Sequence, residues 1–429
     1  MVKISIVPSP IFLFGLLLHC AEPALFAQSP ATQPLSLWDA FERVSARNPE
    51  LAALGHRQRA AEARVEQAGT RPLPSLDLGL ENFAGTGPRQ GIKELEITLQ
   101  ASQRIESGEK RTQRIALANT RSELESNSWS LRRSQLLART AQAFVDAWAA
   151  SRRFDLSQAE EQLNREALAD AETRVSAGTA SPAEVARARA AVVTAEVATS
   201  RAKSQWENAR TTLASLWGES PDDLVITDAF NLPETLPDPA DFLARLDNHP
   251  KLALQRGEIT TRRSALEVER AETKPDLSVS GGVRFLSDGS DAAFVAGLSW
   301  PIGTRDQNQG NIRAARENLS EAEQSIRVIE NQLRTSFSTA WQDLAATHRA
   351  VQTLRRDALP AIADAHAITT AAFHQGQIAW IEVLFTRQEL MATRRRILDA
   401  EAEFAAAAVR IDALTTSQYS LTTSLLPTP

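Results

Sequence analysis

Between Gly108 and Gly178 the chain contains neither glycine nor proline. At 1.5 Å rise per residue, such a stretch supports one helix of roughly 100 Å. A rod of that length cannot fold around an ordinary globular core, so its stability must come from partner helices packed along it. The apolar pattern agrees: Leu117, Leu124, Leu131, Ala138 and Val145 recur every seven residues, the repeat of helices that supercoil together.

A second such run extends from about Asn311 to Gly376, interrupted only by Pro360. It carries one seam at Leu319, Ile326, Leu333 and Ala340 and another at Phe337, Leu344, Val351 and Ala358, which predicts burial of more than one helix face. The likeness extends to the whole chain. Asn48-Pro49-Glu50-Leu51 is echoed by His249-Pro250-Lys251-Leu252, and Arg71-Pro72 by Lys274-Pro275. Arg174 to Gly178 followed by Glu184-Val185 is echoed by Ala372 to Gly376 followed by Glu382-Val383. These pairs all lie about 200 residues apart, so the chain is two copies of one plan. The expected organisation is a first structural repeat over 28–230, a proline-rich linker over 231–239 (NLPETLPDP), a second repeat over 240–418 and a C-terminal tail over 419–429. Each copy reads as helix, two strands, very long helix, turn and long helix.

The strands announce themselves by alternation. Leu76, Leu78 and Leu80 alternate with Asp77, Gly79 and Glu81; beyond a glycine-rich turn, Leu95, Ile97 and Leu99 alternate with Glu94, Glu96, Thr98 and Gln100. The second copy alternates Leu277, Val279, Val283 and Phe285 with Ser278, Ser280 and Arg284, then Phe294, Ala296, Leu298 and Trp300 with mostly smaller residues. Period-two alternation gives a strand one apolar and one polar face. Any single strand of this kind fits a soluble hairpin on a core. Four of them, about 8–10 residues each, fit a transmembrane barrel with the apolar face outward. Leu78, Ile97, Val279 and Leu298 are then the expected barrel exterior, in contact with outer-membrane lipid. Four strands cannot close a useful barrel alone, which requires an oligomer.

At the amino terminus Lys3 precedes Ile11 to Leu18 (IFLFGLLL), then small and polar residues up to Ala27-Gln28. A positive start, a short apolar core and a small residue before a polar one predict a secretory signal peptide over 1–27. The apolar run is far short of the roughly 18–20 residues of a spanning helix. Cys20, after Leu17-Leu18-His19, offers a competing lipoprotein-type signal, although His19 stands where that signal takes Gly, Ala or Ser. Either route exports the chain. No other apolar run is long enough for a spanning helix, so entry into a membrane requires a closed barrel. Cys20 is the single cysteine, which leaves neither a disulfide framework nor thiolate chemistry once residues 1–27 are removed. A formal charge of −6 and a pI near 5.7 argue against a nucleic-acid partner. With no nucleophile motif, phosphate-binding loop or metal-ligand spacing, neither an enzyme nor a cofactor is expected.

Taken in order, these residues resemble the outer-membrane efflux (TolC-like) family over nearly the whole chain beyond the leader. Asn48-Pro49-Glu50-Leu51 resembles that family's first helix. Gln103-Arg-Ile-Glu-Ser-Gly108-Glu-Lys-Arg111 and Trp300-Pro-Ile-Gly303 resemble its two strand-to-helix junctions, and Gly178 and Gly376 its hairpin tips. The Gln103–Arg111 segment and the tip Gly178-Thr-Ala-Ser-Pro182 are most similar to the cobalt–zinc–cadmium resistance branch. The resemblance implies a mainly α fold with a small β part. In a homotrimer, twelve strands would form a β-barrel across the outer membrane and twelve helical strands a periplasmic tunnel closed at its tips. It also implies a periplasmic adaptor (membrane fusion protein) and an inner-membrane efflux pump as partners. Substrate would leave through the water-filled interior after an iris-like untwisting of the tips. The competing class is a soluble periplasmic coiled-coil adaptor or scaffold. Such adaptors have one long helical hairpin flanked by β-domains, whereas this sequence shows two hairpins and a pair of strands per copy.

Gly178 and Gly376 interrupt long helices, and Ser181-Pro182 reads as an N-cap with proline at the first helical position. As structure they are turns; in the family reading they are also the adaptor-docking tips. Each copy places a glutamate six residues past the glycine, Glu184 and Glu382. In the family an acidic ring constricts the tunnel near this point. Glu382 occupies the matching position, and a ring of carboxylates would favour cations. The plain alternative is a solvated helix-face glutamate. A second acidic position in the family is Phe385 here, so a double ring is not reproduced. Arg174 and Phe373 flank the tips as candidate contacts holding a closed state. His374, beside Gly376, lacks a partner at metal-ligand spacing and reads as a surface residue.

Overall fold

A computed structural model describes residues 34–221, 224–226, 231–289, 291–302, 307–415 and 419–425. The expected leader over 1–27, Cys20 and Gly303 of the second junction lie outside these residues. The first half runs α1 (Leu37–Arg47), α2 (Pro49–Ala68), β1 (Ser75–Glu81), β2 (Glu96–Ile105), α3 (Lys110–Ser176) and α4 (Pro182–Ser215). The second half runs α5 (Pro239–Leu243), α6 (Pro250–Glu272), β3 (Leu277–Leu286), β4 (Asp291–Ser299) and α7 (Gln309–Thr353). It continues through a π-helical turn (Leu354–Ala358) into α8 (Leu359–His374), α9 (Trp380–Thr415) and α10 (Ser420–Leu425). The glycine- and proline-free run is one 67-residue helix, as its length requires.

The repeated Asn/His-Pro motif has a local cause. Asn48 Oδ1 accepts the N–H groups of Glu50 and Leu51, and His249 Nδ1 accepts the N–H of Lys251 (3.0 Å), so each side chain satisfies an orphan donor at a helix start. Proline follows both caps, where its missing N–H costs nothing.

The four strands form one antiparallel sheet in the order β1-β2-β3-β4. The central pairing joins the two halves, with Ile97 opposite Phe285, Leu99 opposite Val283 and Arg104 opposite Ser278. In this register Leu76, Leu78, Leu80, Ile97, Val279 and Leu298 share one face. Among the described residues nothing covers that face: Leu78 is 66% exposed and Leu298 69%. On the opposite face Arg284 donates to Glu96 (2.8 Å) and Thr98 (3.0 Å) and pairs with Glu81. No helix among the described residues is long and apolar enough to cross a membrane.

Near the sheet, α2, α3, α6 and α7 lie side by side in that order; beyond them α4, α3, α9 and α8 do the same. The long helices α3 and α7 therefore serve both tiers and exchange partners midway along their length. The main core sits at that exchange. It gathers Phe144 and Trp148 of α3, Phe337 and Leu344 of α7, Phe404 and Ile411 of α9, Phe41 of α1 and Phe242 of α5. The 231–239 linker crosses this region, with Asn231 N–H bonded to Leu425 C=O, His348 to Pro233 C=O and Gln352 to Glu234 C=O. The tail contributes α10, whose first amides are held by the buried carboxylate of Asp412.

One expected seam ends early. Phe337, Leu344 and Val351 are buried, but Ala358 falls in the π turn and is only half-buried. Pro360 supplies no N–H and crowds the carbonyl four residues back, and the widened turn, closed by Leu359 N–H to Leu354 C=O, absorbs this.

Burial, and then the charge of Lys251, lowers the pKa of His249 below its ordinary value. The neutral ring is thus the folded form, and its stabilisation is complete above the unfolded value of about 6.5 and lost as pH falls from there through the lower folded value. Thermal unfolding of the purified protein should fall on acidification below about pH 6.5, and His249→Asn, which keeps a cap, should flatten that dependence. His249→Ala should cost about 1 kcal/mol at neutral pH.

Candidate functional site

The two hairpin tips are built by the same backbone device. At the end of α3, Gly178 takes φ +72°, its N–H donates to Val175 C=O (3.0 Å) and Thr179 N–H donates to Arg174 C=O (2.9 Å). At the end of α8, Gly376 takes φ +73°, its N–H donates to Phe373 C=O (2.8 Å) and Gln377 N–H to Ala372 C=O (2.9 Å). A left-handed glycine with this pair of bonds closes the last helical carbonyls and reverses the chain, which is why glycine stands at both positions. The restarts differ. Ser181 Oγ accepts from Ala183 N–H ahead of Pro182, whereas α9 begins at Trp380 after an alanine that has no side chain to offer.

Side chains tie the two tips together. Arg174 lies over the rings of Phe373 (5.1 Å) and Trp380 (5.8 Å), which themselves meet at 4.9 Å. Its guanidinium also stands 3.3 Å from the Glu184 carboxylate. These atoms lie outside hydrogen-bond geometry, so the attraction is Coulombic. Arg174 and Phe373, singled out separately in the sequence, are thus in one cluster with Glu184. Trp380 was missed: no periodicity marks it, and only its position opposite Phe373 across the turn gives it a role.

Glu382 has a different environment from Glu184. It is exposed at the start of α9, and among the described residues no cation lies within ion-pairing distance. Ile381 (51% exposed) and Phe385 (60% exposed) flank it. The two glutamates therefore share a sequence offset but not a charge state of their surroundings.

Behind the tip cluster lies a cavity of about 430 Å³ lined by Asp170, Arg174, His366, Phe373, Trp380 and Arg387. Arg387 reaches from α9 to donate to Leu163 C=O of α3 (3.1 Å). Burial lowers its pKa, opposed by Glu166, Asp170 and Glu160. His366 is also lowered, by burial first and then by Arg387 and Arg394. His374 packs against Phe373. No group of three or more His, Cys, Asp or Glu side chains among the described residues is placed to hold a metal ion. The cluster is suited to clamping helices rather than to bond-making chemistry.

The sequence profile described as outer membrane efflux protein matches residues 40–219 and 244–417. The chain is 27% identical to the cobalt-zinc-cadmium resistance protein CzcC of Cupriavidus metallidurans, over 89% of this chain and 90% of that protein. It is 29% identical to the nickel and cobalt resistance protein CnrC of the same organism, over 67% and 69% of the two chains. Among solved structures, the outer-membrane channel OprN superposes with a TM-score of 0.70 at 18% identity, covering 89% of this chain and 90% of that one. The CmeC outer membrane channel of Campylobacter jejuni gives 0.69 at 16% identity, covering 97% of both.

Loss of the Arg174 guanidinium should loosen the second tip more than loss of the Glu184 charge, because the ion pair lacks hydrogen-bond geometry and lies within the first hairpin, while the cation also covers two rings of the second. Hydrogen exchange of peptides spanning residues 370–382 should accelerate severalfold in Arg174→Ala and change little in Glu184→Gln. Equal acceleration in both would assign the tie to the ion pair instead.

Proposed function

This chain belongs to the outer membrane efflux protein family, and on that premise we propose that three copies close one channel whose cargo is metal cations. The family's members are outer-membrane channels of tripartite export systems, so the chain is a channel-forming transport protein of the outer membrane. A soluble coiled-coil adaptor is not favoured by these relationships.

The observation that carries the trimeric reading is the sheet. Its apolar face is uncovered from Leu76 to Leu298, its other face carries Arg284, Glu96 and Thr98, and β1 and β4 each have a neighbour on one side only. Placing the apolar face against lipid and the free edges against further copies satisfies both at once. Leu78, Ile97, Val279 and Leu298 then form part of the barrel exterior. The four side-by-side helices in each tier supply one third of a periplasmic tunnel wall. The likeness to CzcC and CnrC supports cobalt-, zinc-, cadmium- or nickel-class cargo. In this reading the leader over 1–27 directs export, and residues 28–230 and 240–418 are the two copies of a duplicated unit.

The hairpin tips at Gly178 and Gly376 are the natural docking points for a periplasmic adaptor, with the inner-membrane pump beyond it, and the Arg174–Phe373–Trp380 tie favours the closed arrangement. Three Glu382 carboxylates around the tunnel end would raise local cation concentration, an effect that salt screens. The neutralised Glu184 is expected to contribute less.

Two measurements test this. Single arginines at Leu78, Ile97, Val279 or Leu298 should impair membrane insertion by about 2–4 kcal/mol near mid-membrane, while arginine at Ser280 on the polar face should be tolerated. Equal tolerance on both faces would remove the barrel assignment. In planar bilayers, Glu382→Gln should lower cation preference and multivalent-cation block, Glu382→Lys should shift selectivity toward anions, and the same changes at Glu184 should do less. Unchanged selectivity after Glu382→Lys would leave Glu382 as a helix-face residue only.

A further inference from the structure

Where the sheet gives way to the helices, a groove of about 740 Å³ runs between α2, α3 and the base of β2. Its rim carries Arg64, Arg71, Arg104, Arg114 and Arg121 against only two carboxylates, Glu106 and Glu125. In a chain with a formal charge of −6, this concentration of guanidinium runs against the general balance.

One of these arginines is structural. Arg114 grips both oxygens of Glu106 (2.6 and 3.2 Å) and donates to the carbonyls of Ala68 and Thr70, which fastens the end of α2 to the start of α3. The same guanidinium holds the Glu106 carboxyl below its ordinary value despite the opposing effect of burial. Glu106 is therefore already neutralised, and Glu125 faces Arg57 at 3.9 Å. Arg64, Arg71 and Arg121 are exposed and, among the described residues, form no ion pair. Arg104 shares its sheet face with Ser278, the polar one. Ala61, Ala68, Leu117 and Ala118 also line the groove and add no charged side chain, and the Ala68 carbonyl is already taken by Arg114.

Guanidinium groups stay charged at any physiological pH and present forked donors that match the oxygens of tetrahedral oxyanions. Several of them lining one concavity, with its two carboxylates facing Arg114 and Arg57, make a site for a multiply charged anion. We propose that this groove binds a small phosphate-class oxyanion on the wall of the channel interior. Because Arg104 lines the groove from the polar face of the sheet, the proposed ligand is a free ion rather than a lipid headgroup. The placement inside the lumen rests on the barrel reading above; the binding site itself rests only on the groove.

The test uses the full-length trimer in detergent, titrated calorimetrically with inorganic phosphate at constant ionic strength. Saturable binding is expected in the wild type, and Arg64→Gln with Arg121→Gln should weaken it by about tenfold or more, since each charge-assisted bond contributes on that scale. Both residues are exposed, and trimer content on native gels confirms that the double variant assembles. Arg133→Gln, elsewhere on α3, should bind as the wild type does. Absence of saturable binding in the wild type, or equal affinity in the double variant, overturns the site. In planar bilayers, replacing chloride by phosphate should alter the single-channel current of the wild type but not of the double variant. Binding that the double variant loses while the wild-type current ignores phosphate upholds the site and instead refutes its lumenal placement.

Discussion

The outward backbone groups of β1 and β4 have no strand to receive them among the described residues, and in hydrocarbon each unmet N–H or C=O costs several kcal/mol. The geometry of the whole molecule follows from answering that demand. In the proposed trimer, closure with further copies would turn four strands into a ring, and since each strand leads into or out of a helix, the width of the ring would fix how many helices stand beneath it. The helices would then line a cylinder set by the strands. Their length, their heptad seams and their switch of partners midway are responses to packing around a wall rather than around a centre.

That wall explains how little of the chain is conventionally buried. Leu117, Leu124 and Leu131 recur at heptad spacing yet are only half-buried in one chain. The large buried side chains gather mainly at the level where α1, α5, α10 and the linker wrap the long helices, around Phe144, Trp148, Phe404 and Ile411. Above and below that girdle, charge does more of the joining. Lys110 is buried at the strand-to-helix junction between Glu272 and Asp276, and although burial favours its neutral form, those two partners outweigh it and raise its pKa. Gly108 beside it must lack a Cβ, which would stand 2.4 Å from the Lys274 side chain.

Features set by short-range periodicity were legible in the sequence. The continuous α3, the alternation of the strands and the paired tip glycines are each written in spacing alone. The shared apolar face of Leu78, Ile97, Val279 and Leu298 could be expected strand by strand, but only the register shows it to be continuous. The tip cluster was half legible. Arg174 and Phe373 stand out near the glycines, but the approach of Arg174 to Phe373 and Trp380 depends on how two hairpins some 200 residues apart lie against each other, and no local pattern carries that. The divergence of Glu184 from Glu382 was legible within each hairpin, since Arg174, four residues before Gly178, has Ala372 as its counterpart before Gly376. The arginine groove collects α2, β2 and α3, and so is invisible to any reading along the chain.

The π turn before Pro360 has a consequence for surface chemistry. An extra residue in one turn advances every side chain beyond it by roughly 100° about the helix axis relative to the seven-residue repeat. The stripe that α7 buries through Phe337, Leu344 and Val351 is therefore out of phase in α8, which has no buried residue at all despite its apolar composition, and Ile368 is 68% exposed. The first repeat, whose α3 has no such slip, continues to bury Ala167 and Ala171 close to its tip. The slip, together with the place of α8 at the end of its row against α9, gives two similar hairpins different characters: the first buries its stripe inside its own chain, and the second carries an apolar stripe free to meet whatever lies alongside.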